Sequence, residues 1–164
     1  MGTHSLRDPT PSHSVGSIQF RSPQSAKDFE AYYALRWEVL RKPHLRTQGS
    51  ERDNMEDSAR HIMAVSECGD VVGVGRIHIR GDGVAQIRYM AVHPDFAGSG
   101  IGQQIVTELE GLICSANGSC VVEINARDNA VPFYQKCGYT ITAQGQRLWG
   151  IIPHSIMQKE ITCK

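Results

Sequence analysis

The chain lacks an excess of charge of either sign and lacks a long apolar run. Lys and Arg together number 17, as do Asp and Glu, so the formal net charge at pH 7 is zero. Nucleic-acid-binding domains usually carry a basic excess, and no nucleic-acid partner is expected here. No apolar run approaches the roughly 20 residues that span a bilayer, and residues 1–16 show no secretory signal. We therefore expect a cytoplasmic protein without a membrane partner.

Cysteine is scarce and irregularly spaced. The five cysteines form no C-x-x-C pair, which is the spacing typical of zinc sites, so no metal is predicted; they are Cys68, Cys114, Cys120, Cys137 and Cys163. Their odd number and scatter favour reduced thiols over a disulfide framework. Three of them (Cys114, Cys120 and Cys137) lie in apolar stretches, where a thiol is usually inert packing.

The length and the periodicity of apolar residues predict one mixed α/β (α+β) domain. Residues 1–16 are polar and are expected to be a disordered tail, which leaves 17–164 as a single domain. Residues 43–58 show little periodicity and predict a loop or a broken second helix. Alternation and helical stripes predict strands at 17–21, 61–67, 71–79, 84–92, 120–124, 139–149 and 155–162, and helices that begin at Ser25 and cover 100–116 and 129–136.

The segment from Met90 to Val106 has the order strand, glycine-rich turn and helix. Gly98, Gly100 and Gly102 alternate, so the backbone can approach a ligand without Cβ atoms in the way. Because N–H groups at a helix start and the helix dipole favour an anion, this segment predicts a phosphate site.

Two common phosphate motifs do not fit this segment. The dinucleotide fingerprint needs a third glycine where Gln103 stands, and a Walker A loop needs Lys followed by Ser or Thr where Gln103 and Gln104 stand.

Two motifs instead resemble the GNAT (N-acetyltransferase) superfamily. Residues 97–102 resemble its pyrophosphate loop, Arg/Gln-x-x-Gly-x-Gly/Ala, except that Ala97 takes the place of the basic or amide residue. Residues 129–139 resemble its later motif, Ala-x-x-x-Tyr-x-x-x-Gly-Phe/Tyr, at Ala130, Tyr134, Gly138 and Tyr139. The tail Ile152-Pro-His-Ser-Ile-Met157 is similar to that of some small bacterial members, and the resemblance covers about 17–164.

The resemblance implies a GNAT-like fold. It implies a mixed, mostly antiparallel seven-stranded sheet whose two central strands, 84–92 and 120–124, run parallel and splay apart. About four helices would flank this sheet. Pantetheine would enter the gap between the two strands, and Met90, Ala91 and Val92 are the positions that would bond to it.

The resemblance also implies an activity and a cofactor site. The activity would move an acetyl group from acetyl-CoA to a primary amine of a small molecule or peptide, by direct attack in a ternary complex. The remaining cofactor-binding residues would be Ala97, Gly98, Ser99, Gly100, Ile101, Gly102, Gln103, Asn125, Asn129, Phe133 and Tyr134.

Two residues are the catalytic candidates. Tyr134 matches the family tyrosine that protonates the CoA thiolate, and the alternatives are a core tyrosine or a hydrogen bond to the sulfur. The strand 85–90 has no carboxylate to act as the base, so Glu123 on the facing strand is the substitute. A salt-bridged Glu123 is equally compatible with the sequence, and His61, His78 or water are the other candidates for the base.

The acceptor is not named by the sequence. Arg88 suggests a cation that binds an acidic group on the acceptor, although a surface arginine fits equally. Other residues available to the acceptor site are Trp37, Arg41, Met55, Glu56, Trp149 and His154. A non-catalytic acyl-CoA-binding or sensing module and an unrelated nucleotide-binding protein remain alternatives, and a homodimer is possible.

The departure at Ala97 generates the first prediction. Restoring a basic residue with Ala97→Arg adds a side-chain contact to phosphate, worth about 1 kcal/mol or roughly a fivefold gain in affinity. Calorimetric titration of CoA into both proteins measures it, and an unchanged dissociation constant would contradict this interpretation of the loop.

Overall fold

The computed structural model describes residues 16–163, so the expected tail falls almost wholly outside the described residues. The strands are Gln19–Arg21 (β1), Arg60–Val65 (β2), Val71–Ile79 (β3), Ala85–Val92 (β4), Cys120–Arg127 (β5), Thr140–Gln144 (β6) and His154–Ile161 (β7). The α-helices are Ala26–Leu40 (α1), Ile101–Asn117 (α2) and Val131–Lys136 (α3).

The seven strands form one sheet in the order β1-β2-β3-β4-β5-β7-β6. Every neighbouring pair is antiparallel except β4 and β5, which are parallel, so the predicted mixed sheet is confirmed. The expected helix count was slightly wrong, because residues 16–163 contain three α-helices rather than about four. Residues 43–58 lack a periodic apolar stripe, and they form turns after a short 3₁₀ segment at Lys42–His44.

Helix α1 begins as predicted, and its buried face includes a charged residue. The Ser25 hydroxyl accepts a hydrogen bond from the Asp28 backbone N–H at 3.0 Å, which caps the helix. The buried face carries Tyr32 and Arg36, whereas Trp37 is only partly covered. An apolar stripe could not reveal this face, because a charged residue lies at its centre.

Helix α2 packs on the opposite face of the sheet from α1. Its buried residues include Ile105 and Leu109. Two glycines on β3 make room for them, since a Cβ at Gly75 would lie 2.7 Å from Ile105 Cγ2. The helix ends at Gly118, whose φ of 76° is in the left-handed region that favours glycine.

Strands β4 and β5 pair only over a short stretch. The register joins Ala85–Ile87 to Val122–Ile124, and beyond it the two strands separate. On its other side β4 carries a bulge, because Arg76 lies opposite Arg88 while Val74 lies opposite Ala91. The predicted splay is therefore present, and it leaves backbone groups on both strands without ladder partners.

Two predicted strand ends were misplaced. Strand β5 continues to Arg127, three residues beyond the predicted end, because β7 pairs along its whole length. Strand β6 ends at Gln144 rather than Trp149. The chain then turns back through a bridge between Leu148 and Ile152, with Gly150 at a φ of 73°.

The expectation of five reduced thiols is wrong for one pair. Cys114 and Cys163 form a disulfide, with a Cα–Cα distance of 5.6 Å. The fold places Cys163, two residues after the end of β7, near the last turn of α2, and the Cys163 N–H donates to the Ser119 hydroxyl at 2.9 Å. Sequence spacing could not show this proximity, since 49 positions separate the two cysteines. None of the helices within 16–163 is long and apolar enough to cross a membrane.

We expect the disulfide to contribute to stability. Closing a loop of this length stabilises a protein by about 4 kcal/mol in the chain-entropy model, and Cys163→Ser should lower the unfolding free energy of the oxidised protein by roughly 2–4 kcal/mol. Urea unfolding with and without reductant measures the difference. Cys68→Ser is the matched control because Cys68 is an exposed free thiol. Equal losses in the two variants would contradict the prediction.

Candidate active site

A cavity of about 460 Å³ opens where β4 and β5 separate. Its walls are the facing parts of the two strands, the end of α1, the start of α3 and the turn after β6. The lining residues are Leu40, Arg41, Gln86, Ile87, Arg88, Tyr89, Met90, Ile124, Asn125, Ala126, Arg127, Ala130, Tyr134, Gln146, Arg147, Leu148, Trp149 and His154.

Only some of the predicted site residues meet in this cavity. Among the cofactor and catalytic candidates, Met90, Asn125 and Tyr134 line it. Among the acceptor candidates, those that line it are Arg41, Arg88, Trp149 and His154, whereas Trp37, Met55 and Glu56 do not. Asn129 is exposed nearby, and Ala91 is buried beneath α1 instead.

The glycine loop lies at the start of α2 and has the backbone that was predicted. Gly98 and Gly100 have φ of 73° and 84°, and a Cβ on either would meet nothing within 4 Å. These glycines are therefore needed for conformation, and the space above them is open. Gly100 is the N-cap of α2 and offers no side-chain cap, so no side chain caps the first N–H groups of the helix. Ala97 and Ser99 are exposed on the same loop, and Ile101 is buried.

Packing connects the loop to β4 and α3. A Cβ at Gly102 would lie 3.0 Å from Phe133 Cζ and 3.5 Å from Val92 Cγ2. The ring of Phe133 in turn lies 4.9 Å from that of Tyr134, edge to face. Gly102 thus allows α3 to approach the start of α2, which brings the two sequence motifs together.

Tyr134 is a buried residue of α3 that lines the cavity. It is 7% exposed. Burial raises the pKa of Tyr134 well above its usual value, so the hydroxyl keeps its proton at neutral pH.

Glu123 lies on β5, which forms one wall of the cavity, but its side chain does not line the cavity. Its Oε1 accepts from Arg80 Nη1 at 2.6 Å, and its Oε2 accepts from Gln158 Nε2 at 2.8 Å. Both carboxylate oxygens are therefore in use. The register places Glu123 opposite Gln86, at the end of the cavity where the strands are still paired.

The histidines on β2 and β3 also lie outside the cavity, whereas a third histidine lines it. His61 bonds Tyr32 and the Glu56 carbonyl, and His78 Nδ1 bonds Arg76. By contrast, His154 Nδ1 bonds to the Ile152 carbonyl at 2.8 Å. Because a carbonyl only accepts, Nδ1 carries the hydrogen and Nε2 of the neutral ring has the lone pair.

A buried ion network supports the β4 wall. Arg76 donates to both oxygens of Asp53 at 2.6 and 3.0 Å, and to Glu56 at 2.9 Å. Arg36 donates to the other oxygen of Glu56 at 2.9 Å, and the side chains of Arg36 and Arg76 are both 0% exposed. Arg88 donates to Asp53 at 3.1 Å. The network fixes the turns after α1 against β3 and β4.

Tyr89 lies at the centre of these arginines. Its φ of 57° is unusual for a residue with a side chain, and it occupies the β4 bulge. Three guanidinium carbons lie 4.5–4.9 Å from its ring centroid, those of Arg36, Arg76 and Arg88. Cation–π attraction therefore helps to hold the strained residue that turns β4 away from β5.

Sequence reasoning missed most of these charged residues. Arg76 and Arg127 stand in strands that are otherwise largely apolar, and Arg36 stands in the buried face of a helix. A charged residue within an apolar pattern was the feature of the sequence that could have identified these three arginines. Within 16–163, no three His, Cys, Asp or Glu side chains converge as metal ligands would.

Comparisons with known proteins agree with this geometry. The Acetyltransferase (GNAT) domain family matches residues 24–161. An uncharacterized N-acetyltransferase, YjcF of Bacillus subtilis (strain 168), is 31% identical over 131 residues, which cover 80% of this chain and 91% of that protein.

Solved structures share the fold at low identity. An acyl-CoA N-acyltransferase from Pseudomonas aeruginosa superposes with a TM-score of 0.75 at 20% identity, covering 87% of this chain and 99% of that one. An aminoglycoside 6'-N-acetyltransferase complexed with coenzyme A gives a TM-score of 0.73 at 16% identity, covering 90% and 98%.

The ion network generates a pH prediction. Burial opposes ionisation of Asp53. The hydrogen bonds that its carboxylate accepts from Arg76 and from the Met55 N–H outweigh the effect of burial, and they lower the pKa of Asp53 from its usual 3.8 to about 2. As the pH falls, the Asp53 carboxylate is therefore protonated in the unfolded chain before it is protonated in the folded protein. The free energy of unfolding decreases by about 2 kcal/mol between pH 5 and about pH 2.

Urea unfolding across this pH range tests the effect of Asp53→Asn. The variant should be less stable at pH 7, because it leaves Arg76 poorly compensated, and should lose less stability on acidification than the wild type. Asp57→Asn is the control, since Asp57 is exposed. An identical acid dependence in Asp53→Asn and wild type would contradict the prediction.

Proposed function

The chain belongs to the GNAT acetyltransferase family, and on that premise we propose that it transfers an acetyl group from acetyl-CoA to a primary amine of a small molecule or peptide. The observation that carries the proposal is the cavity at the β4–β5 separation, which Tyr134 lines from α3, while Phe133 of the same helix packs against Gly102 of the glycine loop. A cytoplasmic location and a homodimer remain predictions from the sequence.

The residues present fit CoA. The open space above Gly98 and Gly100 and the uncapped start of α2 suit a pyrophosphate, through backbone N–H groups from Ser99 to Gln103. Backbone groups of Met90–Val92, which β5 does not pair, suit the amides of pantetheine. Phe133 and Asn125 would flank it, and Asn129 is exposed at the same end of α3. When bound, acetyl-CoA supplies the thioester carbonyl that the amine attacks directly in a ternary complex.

Tyr134 is the proposed general acid. Its buried hydroxyl stays protonated at neutral pH, so it can donate to the sulfur as the acetyl group leaves. Apart from this proton transfer, the cavity would act by positioning the amine against the thioester. Positioning is the larger part of catalysis when two substrates must meet.

The proposed base is His154, directly or through a water. Glu123, the candidate from the sequence, has both oxygens bonded and lies outside the lining, so it would first have to leave Arg80. The His154 ring lines the cavity, and its Nδ1 bond leaves a lone pair on Nε2. An amine that enters the cavity as a cation could lose its proton there.

One observation favours the alternative of a non-catalytic acyl-CoA-binding module. Among residues 16–163, no Asp or Glu lines the cavity, and Ala97 leaves the loop without its usual polar side chain. Such a module would bind CoA but would release no thiol with any amine, so turnover separates the two functions.

The proposal predicts how two tyrosine variants differ. Tyr134→Phe removes the proton donor and should lower kcat by about 10²- to 10⁴-fold with little change in CoA affinity. Tyr139→Phe is the matched control, because Tyr139 is a buried core tyrosine whose hydroxyl bonds Glu110 outside the cavity. Thiol release from acetyl-CoA over a panel of amines gives the rates.

The outcomes are distinct. Equal kcat in Tyr134→Phe and wild type would exclude the acid role. Binding of CoA without thiol release for any amine would favour the binding module.

A further inference from the structure

The cavity is lined by arginines without a balancing carboxylate. Arg41, Arg88, Arg127 and Arg147 all line it, and no Asp or Glu in the part of the chain that the structure describes does so. A buried charge is costly unless an opposite charge or hydrogen bonds compensate it. The arginines of the neighbouring network meet this requirement, since Arg36 and Arg76 bond to Asp53 and Glu56.

Arg41 and Arg127 are not compensated by a carboxylate as Arg36 and Arg76 are. Arg41 is 8% exposed, and its guanidinium donates to the carbonyls of Ser50 at 3.1 Å and Leu40 at 3.3 Å. Arg127 donates to His44 Nε2 at 3.2 Å and to the Leu40 carbonyl at 3.4 Å. Within residues 16–163, neither guanidinium has a carboxylate oxygen within 4.0 Å.

The two guanidiniums also repel each other. Burial and then the charge of Arg41 lower the pKa of Arg127, and burial together with Arg88 lowers that of Arg41. Burial and the three nearby charges of Arg127, Arg41 and Arg46 lower the pKa of His44. His44 is therefore neutral and accepts from Arg127 without adding a negative charge. The groups that oppose this lowering of the Arg41 pKa are Tyr89 and then Glu51, and the Glu51 carboxylate accepts from the Gly49 N–H at 2.7 Å.

The ring of Trp149 packs against the guanidiniums of Arg41 and Arg46. The ring lies 5.3 Å from the Arg41 guanidinium carbon and 4.2 Å from that of Arg46. Its other neighbour is the ring of His44, at 5.2 Å. The aromatic stack orients the guanidinium of Arg41 but supplies no formal negative charge, so the need for an anion remains.

Resting on the proposed transferase function, we propose that the acceptor amine carries an anionic group, a carboxylate or a phosphate, and that Arg41 and Arg127 bind it in this cavity. Two guanidiniums with fixed orientation suit the planar or tetrahedral oxygens of such a group. Arg88 is already bonded to Asp53, and Arg147 is exposed, so both are secondary to this pair.

Matched acceptors test the preference. In the presence of saturating acetyl-CoA, we would compare phosphoethanolamine with ethanolamine, and β-alanine with β-alaninamide. The anionic member of at least one pair should have a kcat/KM about 10- to 100-fold higher, and which pair responds identifies phosphate or carboxylate. Equal or inverted values in both pairs, with turnover, would overturn the inference and leave the proposed function intact.

Arginine variants assign the effect to the site. Arg127→Gln should remove most of the preference by raising KM for the anionic acceptor, while the neutral acceptor changes little. Arg60→Gln removes the same charge from an exposed position on β2 and should keep the preference. A loss of equal size for both members of a pair would indicate a structural role for Arg127 and would contradict the inference.

A second measurement decides the question without turnover. The melting temperature of the CoA-saturated protein is measured in phosphate, succinate and chloride at equal ionic strength. Because phosphate also stabilises proteins by exclusion from their surface, the result is the difference between variants. At least one anion should raise the melting temperature of wild type and Arg60→Gln more than that of Arg127→Gln. If every anion shifts the melting temperatures of these three proteins equally, the proposal is overturned.

Failure of the proposed function would look different. If CoA itself causes no shift, the transferase proposal fails, while the same anion series without CoA still decides whether Arg41 and Arg127 form an anion site.

Discussion

The separation of β4 from β5 after three residue pairs is the constraint on which the site depends. Strands that stop pairing inside a sheet expose backbone donors and acceptors that need partners, and they open a cavity between them. The bulge at Tyr89, with its φ of 57°, turns β4 away from its neighbour. Gly102 then allows Phe133 to approach the start of α2, so that α3, which also carries Tyr134, packs against the glycine loop.

The arginines divide into two sets with different consequences. Arg36 and Arg76 are wholly buried and are compensated by Asp53 and Glu56 from the turns after α1. They hold the strained part of β4 and belong to the scaffold. Arg41 and Arg127 are compensated only by carbonyls, a neutral imidazole and aromatic faces. This contrast between neighbouring arginines is what distinguishes a site that needs an anionic ligand from an internal ion network.

The sequence predicted the parts of the fold that local patterns determine. The helix start at Ser25, strands β2 and β3, the helix α2 and the glycine loop all follow from residues that are close in the chain, and each was found. The contacts that depend on folding were missed. Asp53 lies 23 positions from Arg76, and Cys114 lies 49 from Cys163, so no local pattern could pair them. Glu123 was a reasonable candidate by position, but its bonds to Arg80 and Gln158 arise only once β5, β7 and the end of β3 are assembled.

Binding of CoA by this chain is measured by thermal melting with CoA, acetyl-CoA, ATP and NAD side by side. A ligand at a hundred times its dissociation constant stabilises a protein by about 2.7 kcal/mol, which corresponds to several degrees for a domain of this size. We expect such a shift with CoA and acetyl-CoA and none of that size with ATP or NAD. A shift with ATP or NAD that equals or exceeds the shift with CoA, or no shift with either CoA species, would contradict the proposed CoA site.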